Sequence, residues 1–119
     1  MHAGKTLPSG STSLLVLSLL ASGDKYGYEM ISVLEDRSDH TFTLKEGTLY
    51  PILHGLEREG AVSAYEKEAP SGRIRKYYRI TARGRRLLGE KREEWNSFSR
   101  MVNAIVAEGE AAPAAPAPV

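Results

Sequence analysis

The clearest pattern of apolar positions in the chain lies between residues 43 and 60. Large apolar side chains recur there at i, i+3, i+4 and i+7, at Leu49, Ile52, Leu53 and Leu56. This spacing places them on one stripe of a helix, which the rest of a small domain would cover. The sequence therefore predicts an amphipathic helix whose opposite face is left to solvent or to a partner.

The flanking residues predict where this helix begins and ends. Thr43 and Glu46 have the spacing of a capping box, which places the start near Leu44. Gly60 can take the left-handed conformation that ends a helix. Pro51 lacks the N–H group that would reach back one turn, so the helix either kinks there or begins later.

The face opposite the leucines is thin, because two glycines and a proline contribute to it. A thin face with a few hydrogen-bonding groups can lie deep in the major groove of DNA. An ordinary amphipathic core helix is the alternative for this stretch taken by itself. The side chains that we expect to face the groove are Lys45, Thr48, Tyr50, Pro51, His54 and Arg58.

Two shorter helices are predicted before this one. A cap within residues 11–13 opens a first helix that runs to about Ala21 and is apolar on more than one side. A second helix ends near Arg37, and a polar connector then leads to the third, which is a helix-turn-helix arrangement. The apolar positions that predict the second helix are Tyr28, Ile31 and Leu34.

After the third helix the pattern changes from helical spacing to alternation. Residues 62–67 and 75–80 alternate, and a turn-rich tetrapeptide at 69–72 separates them. This predicts a β-hairpin with Tyr78 and Ile80 facing inward. The fold class is therefore mainly α with a small β-hairpin, a winged helix-turn-helix followed by one long helix.

The long last helix is predicted from residue 82 to about Ala107, with Thr81 as its cap. Its apolar residues follow heptad spacing, and a projecting helix cannot bury such a stripe by itself. Pairing with a second copy is the simplest solution, although packing on the chain's own first helix is an alternative that can accompany it. The expected dimer contacts are Leu14, Leu17, Leu88, Trp95, Phe98, Val102 and Ile105.

These elements divide the chain into four parts. We expect residues 1–10 to be a flexible arm, 11–80 the winged helix-turn-helix domain, and 81–108 the dimerisation helix. Residues 109–119 form an Ala/Pro tail of low complexity, which we expect to be disordered.

The composition of the 119-residue chain excludes several classes of function. It has no cysteine, which removes disulfides and thiolate chemistry and fits a reducing cytoplasm. No segment has the length of a membrane span or the pattern of a signal peptide. Its three histidines are scattered without zinc-site spacing, and no catalytic constellation or phosphate-binding glycine loop is present. We therefore expect neither an enzyme nor a cofactor.

The net charge is only +1, but basic residues are concentrated near the hairpin. Seven of them fall between residues 73 and 86 with no acidic residue among them. A solvated strand face is the alternative, but a basic wing beside a thin helix favours contact with phosphates or the minor groove. The wing residues that we expect to serve DNA are Lys67, Arg73, Arg75 and Lys76.

The chain resembles the PadR-like family of transcriptional regulators. The resemblance lies in residues 27–29, 46–51, 53, 56–57, 59–60 and 75–81 and at Gly84, and it extends over about residues 14–105. It implies a winged-helix homodimer that binds a two-fold operator in double-stranded DNA and represses transcription. The single C-terminal helix looks like that of the small subfamily. A winged-helix module for protein–protein contact is the alternative, and the salt dependence of DNA binding separates the two.

Trp95 lies where small multidrug-sensing members of that family carry a tryptophan that stacks planar compounds at the dimer interface. Lys91, Arg92 and Asn96 make its surroundings more polar in this chain. The resemblance implies a planar aromatic effector, whereas a plain dimer-core role for Trp95 is the alternative. The expected effector contacts are Trp95, Leu14 and Ser18.

Overall fold

The computed structural model describes residues 10–111, and it contains four α-helices and three short β-strands there. The expectations for the rest of the arm and for residues 112–119 of the tail lie outside this range. No helix within it is both long and apolar enough to cross a membrane. The elements are α1 (Thr12–Ala21), β1 (Lys25–Tyr26), α2 (Gly27–Arg37), α3 (Glu46–Arg58), β2 (Val62–Glu68), β3 (Ile74–Ile80) and α4 (Ala82–Ala111).

The predicted apolar stripe of α3 lies in the core. Leu49 and Leu53 are fully buried, Leu56 is buried, and Ile52 packs half-buried against them. Residues of α1, α2 and the sheet complete the same cluster, with α4 contributing Leu88 at its edge. This arrangement leaves the opposite face of α3 outside the core, as the pattern predicts.

The predicted start of α3 is wrong by two residues. The helix begins at Glu46 with Lys45 as its N-cap, and no side chain caps it. Leu44 is buried in the core just before the helix, so burial fixes its backbone outside the helix and Thr43 does not act as a cap. The later start is one of the two solutions expected for Pro51, and the helix runs on through that residue.

The end of α3 confirms the role predicted for Gly60, whose φ is +76°. The Ala61 N–H donates to the Leu56 carbonyl at 2.8 Å, and the Gly60 N–H donates to the Glu57 carbonyl at 3.0 Å. These two bonds form a Schellman motif, which satisfies carbonyl groups that the helix end leaves unpaired.

The inward face predicted for α2 is partly wrong. Leu34 is buried, but Tyr28 is 64% exposed, and the buried stripe is Gly27, Met30 and Leu34. A Cβ atom at Gly27 would overlap the Tyr50 phenol, so the glycine lets the two helices approach closely. This contact sets the rotation of α2 and turns Tyr28 outward.

The hairpin is confirmed and carries a third strand. β2 and β3 pair antiparallel from Val62 opposite Ile80 to Glu68 opposite Ile74, and β1 pairs with the other edge of β3. Tyr78 and Ile80 are buried as predicted. The sheet therefore has one face on the helices and one face turned away from them.

Helix α4 is four residues longer than predicted and runs into the segment assigned to the disordered tail. No proline interrupts it before Pro113, and the good helix formers Glu108, Glu110 and Ala111 flank Gly109, so this single glycine does not end the helix. Thr81 caps it as predicted, because its hydroxyl accepts a hydrogen bond from the Gly84 N–H at 3.0 Å.

Two residues assigned to the dimer interface belong to the core of the single chain. Leu17 is fully buried and Leu88 is 4% exposed, so neither presents a surface to a second subunit. Heptad spacing and an apolar first helix identify apolar faces, but they do not show which part of a face is covered by the same chain. Leu14 is half-buried, and the remaining predicted contacts are exposed.

Candidate nucleic-acid interface

The outer face of α3 presents a small polar surface. Lys45, Thr48, Pro51, His54 and Arg58 are all exposed. Gly47 is also exposed, and a Cβ atom added to it would meet no neighbour within 4 Å, so this face is open and thin. Its shape therefore fits the requirement for entry into a major groove.

Tyr50 differs from the other residues predicted to face the groove. It is half-buried, its phenol abuts Gly27, and its ring centre lies 6.4 Å from that of His54. Burial against α2 holds this side chain at the edge of the α3 surface, beside the start of α2.

A row of three tyrosines crosses the outer face of the sheet. The register places Tyr26 and Tyr65 on either side of Tyr77. The Tyr26 and Tyr77 rings meet edge to face with centres 5.5 Å apart, and the Tyr65 and Tyr77 rings stack at 5.7 Å. Such cross-strand aromatic pairs contribute about 0.2–1 kcal/mol each, so they stiffen the wing.

Three basic side chains lie over these rings. The Arg75 guanidinium is 4.4 Å from the centre of the Tyr26 ring, and Arg79 is 5.0 Å from Tyr65. The Lys67 ammonium lies 5.5 Å from the centre of the Tyr77 ring. Cation–π attraction thus holds these charged groups over the tyrosine rings on the outer face of the sheet.

Arg79 is compensated by an acidic residue that the sequence pattern did not connect with the wing. Asp24 accepts hydrogen bonds from Arg79 Nε at 3.0 Å and from the Tyr65 hydroxyl at 2.7 Å, and its carboxylate forms an ion pair with Arg79 Nη2 at 2.9 Å. The Tyr65 hydrogen bond and the Arg79 charge hold the pKa of Asp24 below its usual range. Arg79 is therefore tied into the wing, and the net positive charge there comes from its other basic residues.

The other two predicted wing cations, Arg73 and Lys76, are exposed near the hairpin tip. Lys76 lies 5.6 Å from the centre of the buried Tyr78 ring, and burial raises the pKa of that phenol. Within residues 10–111, neither basic side chain has an ion pair. Both charges are thus available to an anionic partner.

The structure brings together two of the three residues predicted to hold an effector. Leu14 and Trp95 line a groove of about 270 Å³ between α1 and α4, together with Phe98, whose ring centre is 6.2 Å from that of Trp95. Ser18 is not part of this lining, and its hydroxyl donates to the Leu14 carbonyl at 2.8 Å. Trp95 is 45% exposed in the single chain.

No cluster of His, Cys, Asp and Glu side chains with the makings of a metal site occurs among residues 10–111. The residues that sequence reasoning missed are Asp24, Tyr26 and Tyr65. Their role depends on the pairing of strands that are far apart in sequence, and the alternation of the hairpin was the only signal for it.

Comparisons with known proteins identify relatives of this chain. A sequence model of the transcriptional regulator PadR-like family matches residues 16–90. A transcriptional regulator from Clostridium thermocellum is 36% identical and superposes with a TM-score of 0.75, covering 82% of this chain and 94% of that one. A PadR family transcription regulator from Clostridium difficile is 35% identical, with a TM-score of 0.68 and coverage of 82% and 99%.

The sequence is also similar to that of a curated protein that is described as a transcriptional regulator. The transcriptional regulator Rv3488 of Mycobacterium tuberculosis is 38% identical over 68 residues, which are 57% of this chain and 63% of that protein. The three relatives named here are regulators of transcription. The two solved structures share the fold of this chain, a winged helix with a long last helix.

Proposed function

The chain belongs to the PadR-like family of DNA-binding transcriptional regulators, not to a family of enzymes, and from this premise we propose that it is a cytoplasmic, homodimeric repressor. Its operator is a two-fold site in double-stranded DNA, read by one α3 per half-site. The observation that carries the proposal is the cleft shared by α3 and the wing. Tyr50 of α3 and the basic residues of β3 line it together, so both elements address one partner.

The homodimer is supported by the exposed side of α4. Six large apolar side chains of this helix are between 39% and 68% exposed. A contiguous apolar stripe of this kind marks an interaction surface. A second copy covers it by symmetry, because a two-fold axis brings the same stripe of both helices together. The exposed residues are Trp95, Phe98, Met101, Val102, Ile105 and Val106.

The effector is a planar aromatic compound that stacks on Trp95 at the dimer centre. Its binding changes the spacing of the two α4 helices. That change reaches the DNA-binding surface because Thr81, at the start of α4, is bonded to the end of α3: its hydroxyl donates to the Gly60 carbonyl. A changed distance between the two α3 helices no longer matches half-sites one helical turn apart, so DNA affinity falls.

Selection from a random pool of duplexes, followed by a salt titration of the enriched sequence, tests the DNA-binding function. We expect a palindromic enriched sequence and a steep decrease of affinity with salt, because phosphate contacts release counterions. A pool without enrichment, together with a flat salt response, would instead identify a protein–protein module.

Fluorescence of the single tryptophan tests the effector. Saturable quenching of Trp95 by planar aromatic compounds, accompanied by weaker operator binding, supports the proposal. Leu14→Ala should abolish the quenching, whereas Ser18→Ala is the matched control, because Ser18 does not line the groove in the single chain. If no compound quenches Trp95, its role is that of a dimer-core residue.

A further inference from the structure

A cleft of about 570 Å³ opens between the start of α2, the middle of α3 and the tip half of β3. Tyr50 and the buried Tyr78 form its inner wall. Arg73, Lys76 and Tyr28 lie at its outer parts and are exposed. The cleft exists because β1 pairs only with Tyr77 and Tyr78, so it leaves the rest of this edge of β3 uncovered.

All the charged side chains that line the cleft are positive. Its lining contains Arg73, Arg75 and Lys76 but no acidic side chain. Arg75 rests on the Tyr26 ring at 4.4 Å, whereas the Lys76 ammonium is farther from the Tyr78 ring, at 5.6 Å, so Arg73 and Lys76 are the less engaged cations of the cleft. Glu66 lies opposite Lys76 in the sheet register, yet none of the ion pairs among residues 10–111 joins them. Positive charge in a concave site of this kind concentrates anions.

Tyr28 adds a hydrogen-bond donor to the same cleft. It is the second residue of α2, and 64% of its surface is exposed although the sequence pattern placed it in the core. Its phenol contributes little to the packing of the chain, and it lies next to the Gly27–Tyr50 contact. A phenol hydroxyl beside two cations matches the groups that proteins use to hold phosphate oxygens.

We propose that this cleft binds one phosphodiester of the DNA backbone in each half-site. Arg73 and Lys76 supply the positive charge, and the Tyr28 hydroxyl donates a hydrogen bond to a phosphate oxygen. The proposal rests on the DNA-binding function and deepens it, because a fixed phosphate beside Tyr50 sets the depth and register of α3 in the groove. Among the wing charges, Arg73 and Lys76 thus serve the cleft, Lys67 and Arg79 are stacked on the outer tyrosines, and Arg75 borders both.

Operator duplexes in which single phosphates are replaced by neutral methylphosphonates test this division. For the wild-type protein, we expect one position in each half-site at which replacement weakens binding by about tenfold, as for a hydrogen-bonded charge. Arg73→Ala combined with Lys76→Ala should remove the effect of replacement at that position and flatten the salt slope by about one unit per half-site, because one phosphate contact is lost there. Tyr28→Phe should reduce the loss at the same position and leave the others unchanged.

Arg86→Ala combined with Arg100→Ala is the matched control. Both residues are exposed on α4, two heptads apart, and the change removes the same charge outside the cleft. We expect this variant to keep the wild-type methylphosphonate profile. All variants are compared by thermal unfolding first, so that a lost fold is not mistaken for a lost contact.

The outcomes separate this inference from the function on which it rests. A wild-type protein that binds no duplex contradicts the proposed function itself. If the wild-type protein binds its operator but has the same methylphosphonate profile as the Arg73/Lys76 variant, the proposed phosphate site in the cleft is wrong, while the proposed function stands. Competition by a free deoxynucleoside monophosphate, combined with a flat profile, also overturns it and identifies a site for small phosphate esters.

Discussion

Residues 12–80 and the distal half of α4 differ in how far their apolar side chains are buried within the single chain. The first region closes its own core, in which Val16, Leu17, Met30, Leu49 and Leu53 are completely inaccessible to solvent. Beyond Leu88, no large apolar side chain of α4 is buried, and those from residue 95 onward stay at least 39% exposed. One sequence thus contains a region that a single chain completes and a region that it does not.

The difference teaches where the stability of each region comes from. Full burial of a large apolar side chain is worth about 1.5–3 kcal/mol, and the first region gains this within one chain. The distal half of α4 gains it only when a partner covers the stripe. Its stability should therefore depend on protein concentration, as for any interaction that exists only in the assembled state.

The largest effect is expected from a variant that makes the exposed apolar stripe of α4 unable to be buried by a partner. Val102→Asp combined with Ile105→Asp places two charges in the stripe, and burying unpaired charges is strongly unfavourable. We expect the dimer dissociation constant to rise at least about 100-fold, which is about 2.7 kcal/mol, and sedimentation velocity should show a monomer.

Asn96→Asp combined with Asn103→Asp is the control for this prediction. It adds the same charge at the positions that follow Trp95 and Val102, beside the stripe and not in it. This variant should remain dimeric. A wild-type chain that sediments as a monomer at tens of micromolar contradicts the intersubunit role of α4.

The next effect concerns the junction between the two regions. Gly84 lies against the carbonyl group of Ala61, and a Cβ atom there would overlap the carbonyl oxygen. We expect Gly84→Ala to lower the free energy of unfolding by about 1–3 kcal/mol, as for overpacking in a core. Gly89→Ala in the same helix meets no neighbour within 4 Å, so it should be neutral or stabilise by up to about 1 kcal/mol.

Urea unfolding at a fixed protein concentration measures both glycine variants. Equal stability of the two variants would show that α4 is not packed closely on the end of α3. In that case Thr81 and Gly84 do not connect the dimer helix to the recognition helix, and the proposed route from effector to DNA loses its mechanical basis.

The elements that sequence alone predicts are those whose pattern is local. The stripe of α3, its glycine stop and the alternation of the hairpin depend on neighbours within one or two turns, and the structure confirms them. The start of α3 was missed because the burial of Leu44 outweighs the cap that Thr43 offers.

The features that sequence did not predict depend on contacts between distant residues. β1 has two residues and exists through its pairing with Tyr77 and Tyr78, about fifty positions away. The outward turn of Tyr28 follows from the contact between Gly27 and Tyr50. Leu17 and Leu88 show the same limit of sequence reasoning, since an apolar residue can be buried by its own chain or by a second subunit.

A smaller effect distinguishes the two proposed DNA-facing surfaces within residues 12–80, the thin face of α3 and the wing. Thr48→Ala, on the thin face of α3, should change the preference among base pairs at one position, because a hydrogen bond is typically worth about 0.5–1.5 kcal/mol. Arg75→Ala should instead weaken binding to all sequences alike and flatten the salt slope by about one unit. Titrations of a panel of operator sequences at several salt concentrations measure both effects. Identical profiles for the two protein variants would contradict the assignment of base contacts to Thr48 and phosphate contacts to Arg75.

The smallest effect tests the wing of the completed region alone. The pKa of Asp24 is lowered in the folded state, chiefly by the hydrogen bond from Tyr65 and further by Arg79. A depressed carboxylate pKa stabilises the fold above the unfolded value of about 3.9, and this contribution is lost as the pH falls through the folded pKa. Asp24→Asn should therefore lower the melting temperature slightly at pH 7, and the difference from wild type should shrink below about pH 4. Tyr65→Phe should do the same to a lesser degree because Arg79 remains, and a difference that grows on acidification would show that the carboxylate is not held by these partners.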